Sequence, residues 1–301
     1  MSADRSASVL ARLLNRSRST GENYNLLLSR FVIERLLYRL SVSPHANGFV
    51  LKGALLFALW YDSPHRLTKG ADLLGFGADD AQSLRATFSA ICAIEVDDGV
   101  RYESQSMRIA PIREDNVYGG LRLTVIACAG GARLPVQVDI GFGDAITPAP
   151  ETVTYPTLPE DMAAPCLRAY PVYTGYAEKL HAMVVLGMNN RRMKDFFDLA
   201  VIARTSALDG GTLVDAIRAT FARRDTPLPT ATLVALTAEF AASPIKARQW
   251  NAFVTKAGLQ STSLQEVAMT LDAFLWPAIE ACSRSNRFEK RWSPAPRKWI
   301  A

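Results

Sequence analysis

The feature that most constrains the fold is a change of hydrophobic period along the chain. Two early segments alternate apolar and polar residues as half-buried strands do, L-R-L-T-V-I-A-C at 121–128 and L-P-V-Q-V-D-I-G-F-G at 134–143. After residue 173 the strand patterns disappear and helical periodicity follows. Between them, the proline-rich stretch 144–173 shows little periodicity and is predicted to connect two domains. We predict an α+β domain with a mixed sheet and N-terminal helices at 1–165, then a helical domain at 166–301.

The first half also contains a helix and two further strand candidates. Residues 22–40 form an amphipathic pattern, with Ile33, Leu36, Leu37 and Leu40 at helical spacing. F-V-L-K-G at 49–53 is typical of a strand running into a helix that begins at or just after Gly53, and A-D-L-L-G-F-G at 71–77 of a second strand. The Ser/Arg-rich start of the chain fits either a flexible basic arm or a short first helix.

Composition narrows the class of protein. The chain of 301 residues has a formal charge of +5 and a pI near 9.1, which favours a polyanionic partner such as RNA but equally fits a soluble protein that is simply basic. Four widely spaced cysteines and three histidines give no zinc constellation. Without a secretory leader or an apolar run of roughly 18 residues, we expect a cytoplasmic protein with no membrane partner.

Two aspartates stand where a metal-dependent enzyme would need them. Asp139 projects from the polar face of its strand, since Val136, Val138 and Ile140 occupy the other face. Asp72 follows Gly70 in R-L-T-K-G-A-D-L-L-G-F-G at 66–77. A D-x-D pair would place two carboxylates on one face of a strand, where they could bind Mg²⁺, and Gly70 occupies the first position.

Several motifs in order resemble one family. They are F-V-L-K-G-A-L-L-F-A-L-W-Y (49–61), R-L-T-K-G-A-D-L-L-G-F-G (66–77), V-Q-V-D-I-G-F-G-D (136–144), E-K-L-H-A-M-V-V-L-G (178–187) and R-M-K-D-F-F-D-L (192–199). Together they resemble the AbiEii/AbiGii nucleotidyltransferase toxins, with the MenT-like group among them, over about residues 22 to 225. The resemblance implies a polymerase-β-like nucleotidyltransferase domain followed by a C-terminal helical domain.

The resemblance also implies roles for individual residues. In the first half these are Lys52 and Gly53 beside the nucleotide, Asp72 and Asp139 on metal, and Gly70 in place of the first catalytic aspartate. Gly53 equally fits a plain strand-to-helix turn, and Arg66 and Lys69 fit nucleotide contacts or solvated loop charges. In the second half they are Lys179 on the triphosphate, Arg192 and Lys194 near the nucleotide, Asp195 as the catalytic carboxylate, and Asp198 as its alternative or a structural partner.

The implied activity is Mg²⁺-dependent transfer of a nucleoside monophosphate from an NTP to the 3′ end of a tRNA. Such transfer blocks aminoacylation and translation and inhibits growth, and a cognate antitoxin is expected. The loss of one acidic ligand at Gly70 predicts an impaired copy. Two alternatives stay open, a non-catalytic nucleotide- or RNA-binding paralogue and an enzyme that transfers nucleotides to protein.

The basic and aromatic C-terminal tail is the second candidate for RNA contact. Its predicted RNA-binding residues are Arg284, Arg287, Lys290, Arg291 and Trp292. Positive charge with flat aromatic rings suits RNA phosphates and base stacking. Docking of the tail tryptophans on the helical domain explains the same pattern.

Overall fold

The computed structural model describes residues 3–61, 68, 70–112, 119–259, 262–284 and 287–301. The chain forms two compact units, each made of two stretches of sequence. The first unit comprises Met1–Gly143 and Pro150–Tyr170, and the second comprises Asp144–Ala149 and Pro171–Ala301.

The first unit contains a seven-stranded mixed sheet. Its helices are α1 (Ala3–Thr20), α2 (Tyr24–Ser41), α3 (Phe57–Trp60) and α4 (Ala81–Cys92). Its strands are β1 (Phe49–Lys52), β2 (Gly70–Gly75), β3 (Val100–Pro111), β4 (Gly120–Ala129), β5 (Ala132–Phe142), β6 (Glu151–Thr154) and β7 (Cys166–Ala169). The spatial order is β3-β4-β5-β2-β1-β7-β6, with β2 parallel to β5 and β1 parallel to β7. The predicted α+β class is thus confirmed.

Alternation along the strands builds the core of this unit. Val136, Val138 and Ile140 are buried, as their spacing predicts, and α2 packs against β5. A buried ion network fastens α2 to the loop before β3, because Arg35 and Arg39 both donate to the carboxylate of Asp98 at 2.6 to 3.1 Å.

The structure corrects three sequence expectations. Stretch 144–173 is more than a connector, since it contains β6 and β7, whose short length and flanking prolines hid them. The helix expected after Gly53 is only a 3₁₀ turn, Gly53–Leu56, followed by the single turn of α3. The start of the chain is neither a flexible arm nor a short helix, because α1 has 18 residues.

The second unit is mainly helical. Its helices are α5 (Val172–Leu186), α6 (Met193–Thr205), α7 (Gly210–Arg223), α8 (Ala238–Ala242), α9 (Pro244–Ala257) and α10 (Leu264–Cys282). Side chains cap several of them: Asp209 accepts from the backbone of Thr212, and Ser263 and Glu266 form a capping box at the start of α10. Among the described residues, no helix is long and apolar enough to cross a membrane.

A small antiparallel sheet joins the C-terminal tail to this unit. It consists of β8 (Leu208–Asp209), β9 (Arg291–Ser293) and β10 (Lys298–Ile300), in the order β10-β9-β8. Helical periodicity gave no sign of these strands, which are two or three residues long.

Candidate active site

Four charged residues lie side by side across the sheet of the first unit. Lys52 on β1 pairs with Asp72 on β2, Asp72 with Asp139 on β5, and Asp139 with Arg122 on β4. Cα partners on neighbouring strands project to the same side of a sheet, so all four side chains share one face. We call Lys52, Asp72, Asp139 and Arg122 the charged row. The structure thus brings together the two carboxylates that the sequence singled out.

The backbone of Gly53 lies directly against the carboxylate of Asp72. Gly53 has a φ of +76°, and a Cβ at this position would overlap Asp72 Oδ2. Only glycine meets both conditions without strain. The contact with Asp72 accounts for a glycine at this position, and the nucleotide-facing role expected from sequence stays a prediction.

Arg122 holds the other carboxylate of the row. Its Nε and Nη2 donate to Asp139 Oδ1 and Oδ2 at 2.8 and 2.7 Å, and the side-chain amide of Gln137 lies 3.2 and 3.3 Å from the same two oxygens. Such a two-pronged contact of guanidinium with carboxylate is among the stronger hydrogen-bonded pairs in proteins. Asp139 therefore has a close cationic partner in the structure.

Sequence reasoning missed Arg122, although a signal was present. Gly130 and Gly131 form a two-residue hairpin turn between β4 and β5, because Ala129 pairs with Ala132. A turn of this length fixes the register of both strands, and counting back from it places residue 122 opposite Asp139.

Gly70 lies at the start of β2, opposite Gln137 of β5. A Cβ at residue 70 would come within 2.9 Å of the Gln137 backbone oxygen, so a side chain there requires a small shift of one strand. The missing first carboxylate of D-x-D is therefore accompanied by close backbone packing.

The donors of the charged row suit one divalent cation. Carboxylate oxygens are preferred Mg²⁺ ligands, and Mg²⁺ often binds through one or two carboxylates together with substrate phosphates. No group of three or more acidic, histidine or cysteine side chains with metal-site geometry occurs within the described part of the chain. Asp72 and Asp139 are the residues of the charged row that could hold a cation, and Asp139 also contacts Arg122.

The second unit holds a separate cluster around Lys179. Lys179 Nζ on α5 donates to Asp195 Oδ1 and to Asp198 Oδ2 on α6, both at 2.9 Å, and Arg192 Nε lies 2.6 Å from Asp195 Oδ2. The spacing of three places both aspartates on one face of α6, as predicted. Lys179, Asp195, Asp198 and Arg192 form what we call the lysine cluster.

The members of the lysine cluster differ in their exposure to solvent. The side chains of Asp195 and Asp198 are 1% and 0% exposed, whereas that of Lys179 is 16% exposed. Desolvation opposes both charged forms, yet the two aspartates raise the pKa of Lys179 to about 12, and Lys179 and Arg192 lower that of Asp195 to about 2. Both aspartates contact Lys179, and a direct catalytic role for Asp195 stays a prediction.

The structure describes two of the four other residues that were predicted to contact nucleotide. Lys194 is exposed on α6, and Lys52 Nζ lies 5.5 Å from the ring centroid of Tyr170. Arg66 and Lys69 lie outside the described residues. Their predicted roles stay predictions.

The C-terminal tail corrects one predicted RNA contact. Trp292 is fully buried and donates from Nε1 to the backbone oxygen of Ala203, while its ring packs edge-on against Phe274. It cannot stack on a base in this structure, and the docking alternative holds for it. The remaining predicted RNA-binding residues of the tail are exposed: Arg284, Arg287, Lys290 and Arg291.

The comparison with protein families defines the class of protein, a nucleotidyltransferase. The family profile of the nucleotidyl transferase AbiEii toxin, Type IV TA system, matches residues 35–278. The chain belongs to this AbiEii family. Membership implies a nucleotide substrate and an antitoxin partner.

Solved structures match the chain at low sequence identity, and the first of the two described next shares its fold. A candidate nucleotidyltransferase from H. pylori matches with a TM-score of 0.51 and 16% identity, covering 88% of this chain and all of its own. JHP933 from Helicobacter pylori matches with a TM-score of 0.48 and 13% identity, covering 85% of this chain and 93% of its own. No curated protein matches the chain.

Proposed function

We propose that this toxin transfers a nucleoside monophosphate from an NTP to the 3′ end of a tRNA in the cytoplasm, with Mg²⁺ as the cofactor. The modified tRNA could not be aminoacylated, so translation and growth would stop until a cognate antitoxin intervened. The observation that carries the proposal is the register of Asp72 with Asp139, beside the close approach of Gly53, in a chain of the AbiEii family.

Each part of the site has a proposed task. Asp72 and Asp139 would hold the cation, which when bound neutralises phosphate charge. Lys52 on the charged row would bind phosphate oxygens as a point charge, and for Lys179 we keep the triphosphate role that membership of the family suggests. Asp195 and Asp198 would orient Lys179 and keep it protonated. The exposed basic residues of the tail would contact the tRNA backbone.

We also propose that Gly70 impairs this copy. With glycine at position 70, the site lacks one cation ligand and one negative charge beside the charged row. With two acidic and two basic members, the row has no net formal charge to attract Mg²⁺. An aspartate at position 70 would add a fifth charged side chain beside the charged row, and the five side chains together would have a net charge of −1.

One observation favours a non-catalytic nucleotide- or RNA-binding role as the second candidate. The Gln137 backbone oxygen is close enough to Gly70 to disfavour any side chain there, and Asp139 is already held by Arg122. A site that only binds nucleotide needs no carboxylate at position 70, and Asp139 can stay bound to Arg122.

The test compares Gly70→Asp with Gly70→Asn and the unaltered chain. Both variants meet the same contact with Gln137, but only aspartate restores the charge. Each protein is incubated with labelled NTPs, mixed tRNA and lysate protein, with and without EDTA. We expect Gly70→Asp to label tRNA at least about tenfold faster than Gly70→Asn, a barrier difference of about 1.4 kcal/mol, and only with Mg²⁺.

The other outcomes separate the alternatives. Label on protein instead of tRNA would indicate a protein acceptor. If Gly70→Asp labels nothing although it binds nucleotide, the non-catalytic role is correct. If Gly70→Asn is as active as Gly70→Asp, the missing charge is not the cause of impairment.

A further inference from the structure

We propose that Arg122 masks Asp139 from divalent cations, so that a cation can use this carboxylate only when the guanidinium moves away. The inference rests on the proposed function in one respect, that Asp72 and Asp139 form the cation site. It adds a competing group that belongs to the chain itself.

Both oxygens of the Asp139 carboxylate already have close donors. Each oxygen of Asp139 lies within hydrogen-bond distance of one guanidinium nitrogen of Arg122, at 2.8 or 2.7 Å, and of the Gln137 amide nitrogen, at 3.2 or 3.3 Å. A carboxylate offers about four lone-pair sites. A cation ligated by Asp139 must therefore displace one of these donors or accept a poor direction of approach.

The positive charge of Arg122 also opposes a cation at Asp139. The guanidinium is always protonated and occupies the side of Asp139 away from Asp72, on the neighbouring strand β4. It neutralises Asp139 and would repel a cation bound to the same oxygens. The Arg122 side chain is 43% exposed, so it has solvent to move into when it leaves the carboxylate.

The same sheet provides a matched control. Arg133 on β5 makes an equivalent two-pronged contact with Glu103 on β3, at 2.8 and 2.7 Å. It lies six residues before Asp139 on the same strand, about 20 Å away at the usual rise. Replacing either arginine removes one positive charge, but only Arg122 belongs to the charged row.

The experiment measures Mn²⁺ affinity directly, from the electron paramagnetic resonance signal of free Mn²⁺, in the absence of NTP. The proteins are the unaltered chain, Arg122→Gln, Arg133→Gln and Arg122→Gln combined with Asp139→Asn. Arg122→Lys is added because it keeps the charge and loses the fork. Thermal melting confirms that each protein is folded.

We expect Arg122→Gln to bind Mn²⁺ at least about fivefold more tightly than the unaltered chain, and Arg133→Gln to change the affinity by less than about twofold. The gain should disappear with Asp139→Asn and be intermediate with Arg122→Lys. Equal or weaker binding by Arg122→Gln relative to Arg133→Gln, or no measurable binding by Arg122→Gln, would overturn the inference.

The result is separable from the proposed function. Tighter Mn²⁺ binding by Arg122→Gln, together with no nucleotide transfer by Gly70→Asp, would support masking while removing the proposed activity. Nucleotide transfer by Gly70→Asp, together with no effect of Arg122→Gln on Mn²⁺ affinity, would support the proposed activity and overturn masking.

Discussion

Replacing Gly53 by alanine tests whether this glycine exists to admit Asp72. Gly53 and Gly21 have nearly the same positive φ, +76° and +75°. A Cβ at Gly21 would meet no atom within 4 Å, whereas at Gly53 it would overlap the Asp72 carboxylate. Gly21→Ala therefore carries only the strain of a side chain at positive φ, and Gly53→Ala carries a strain of this kind together with the displacement of Asp72.

The expected magnitudes follow from that difference. Alanine in the left-handed region costs about 1 kcal/mol of unfolding free energy at either position. Overpacking adds about 1–3 kcal/mol at Gly53, so we expect losses of about 1 kcal/mol for Gly21→Ala and about 2–4 kcal/mol for Gly53→Ala. Urea unfolding at constant pH measures both, and Mn²⁺ titration should show weaker binding only for Gly53→Ala.

Two results would refute this reasoning. If both variants lose the same unfolding free energy, Asp72 yields to a methyl group without cost. If Gly53→Ala is strongly destabilised but binds Mn²⁺ like the unaltered chain, then the position of Asp72 does not matter for the cation.

Two further predictions concern buried charge. Burial raises the pKa of Glu34 from 4.5 to about 7, although the Leu158 backbone N–H donates to it. The folded state therefore holds the Glu34 proton more tightly than the unfolded chain does. The free energy of unfolding should then fall by about 3 kcal/mol as pH rises from about 4.5 to 7. Glu34→Gln should flatten this slope in urea unfolding from pH 5 to 8, and a slope that does not change would contradict the assignment. Lys179→Met leaves the carboxylate of Asp195 buried without its ammonium partner and should cost about 3–5 kcal/mol at neutral pH, less at pH 5 as Asp195 takes up a proton. Lys194→Met, at an exposed position on the same helix, should cost less than about 0.5 kcal/mol, and similar losses from both lysines would show that the lysine cluster contributes little stability.

The sequence predicted elements better than their partners. The alternation of apolar and polar residues identified β4 and β5 because each strand has one buried face. The two-glycine turn between them also fixes which residues pair. The pairing of β2 with β5 brings Asp72 and Asp139 together, but these residues are far apart in sequence and no local pattern specifies that pairing. Only the family resemblance pointed to it.

The misses have physical causes. The strands β6 and β7 are four residues long and border prolines, so they have too few residues to show a period. Trp292 stands among basic residues, a setting that suits both RNA stacking and docking, and only burial distinguishes the two.

The order in which the sheet is completed has a consequence for synthesis of the protein. Leu51 of β1 pairs with Ala169 of β7, so more than a hundred residues are translated between the two partners. Until then β1 has one open edge, which is the kind of surface that recruits other chains. We expect the nascent toxin to depend on chaperones during this interval, and its active-site strands to become rigid only after β7 has left the ribosome.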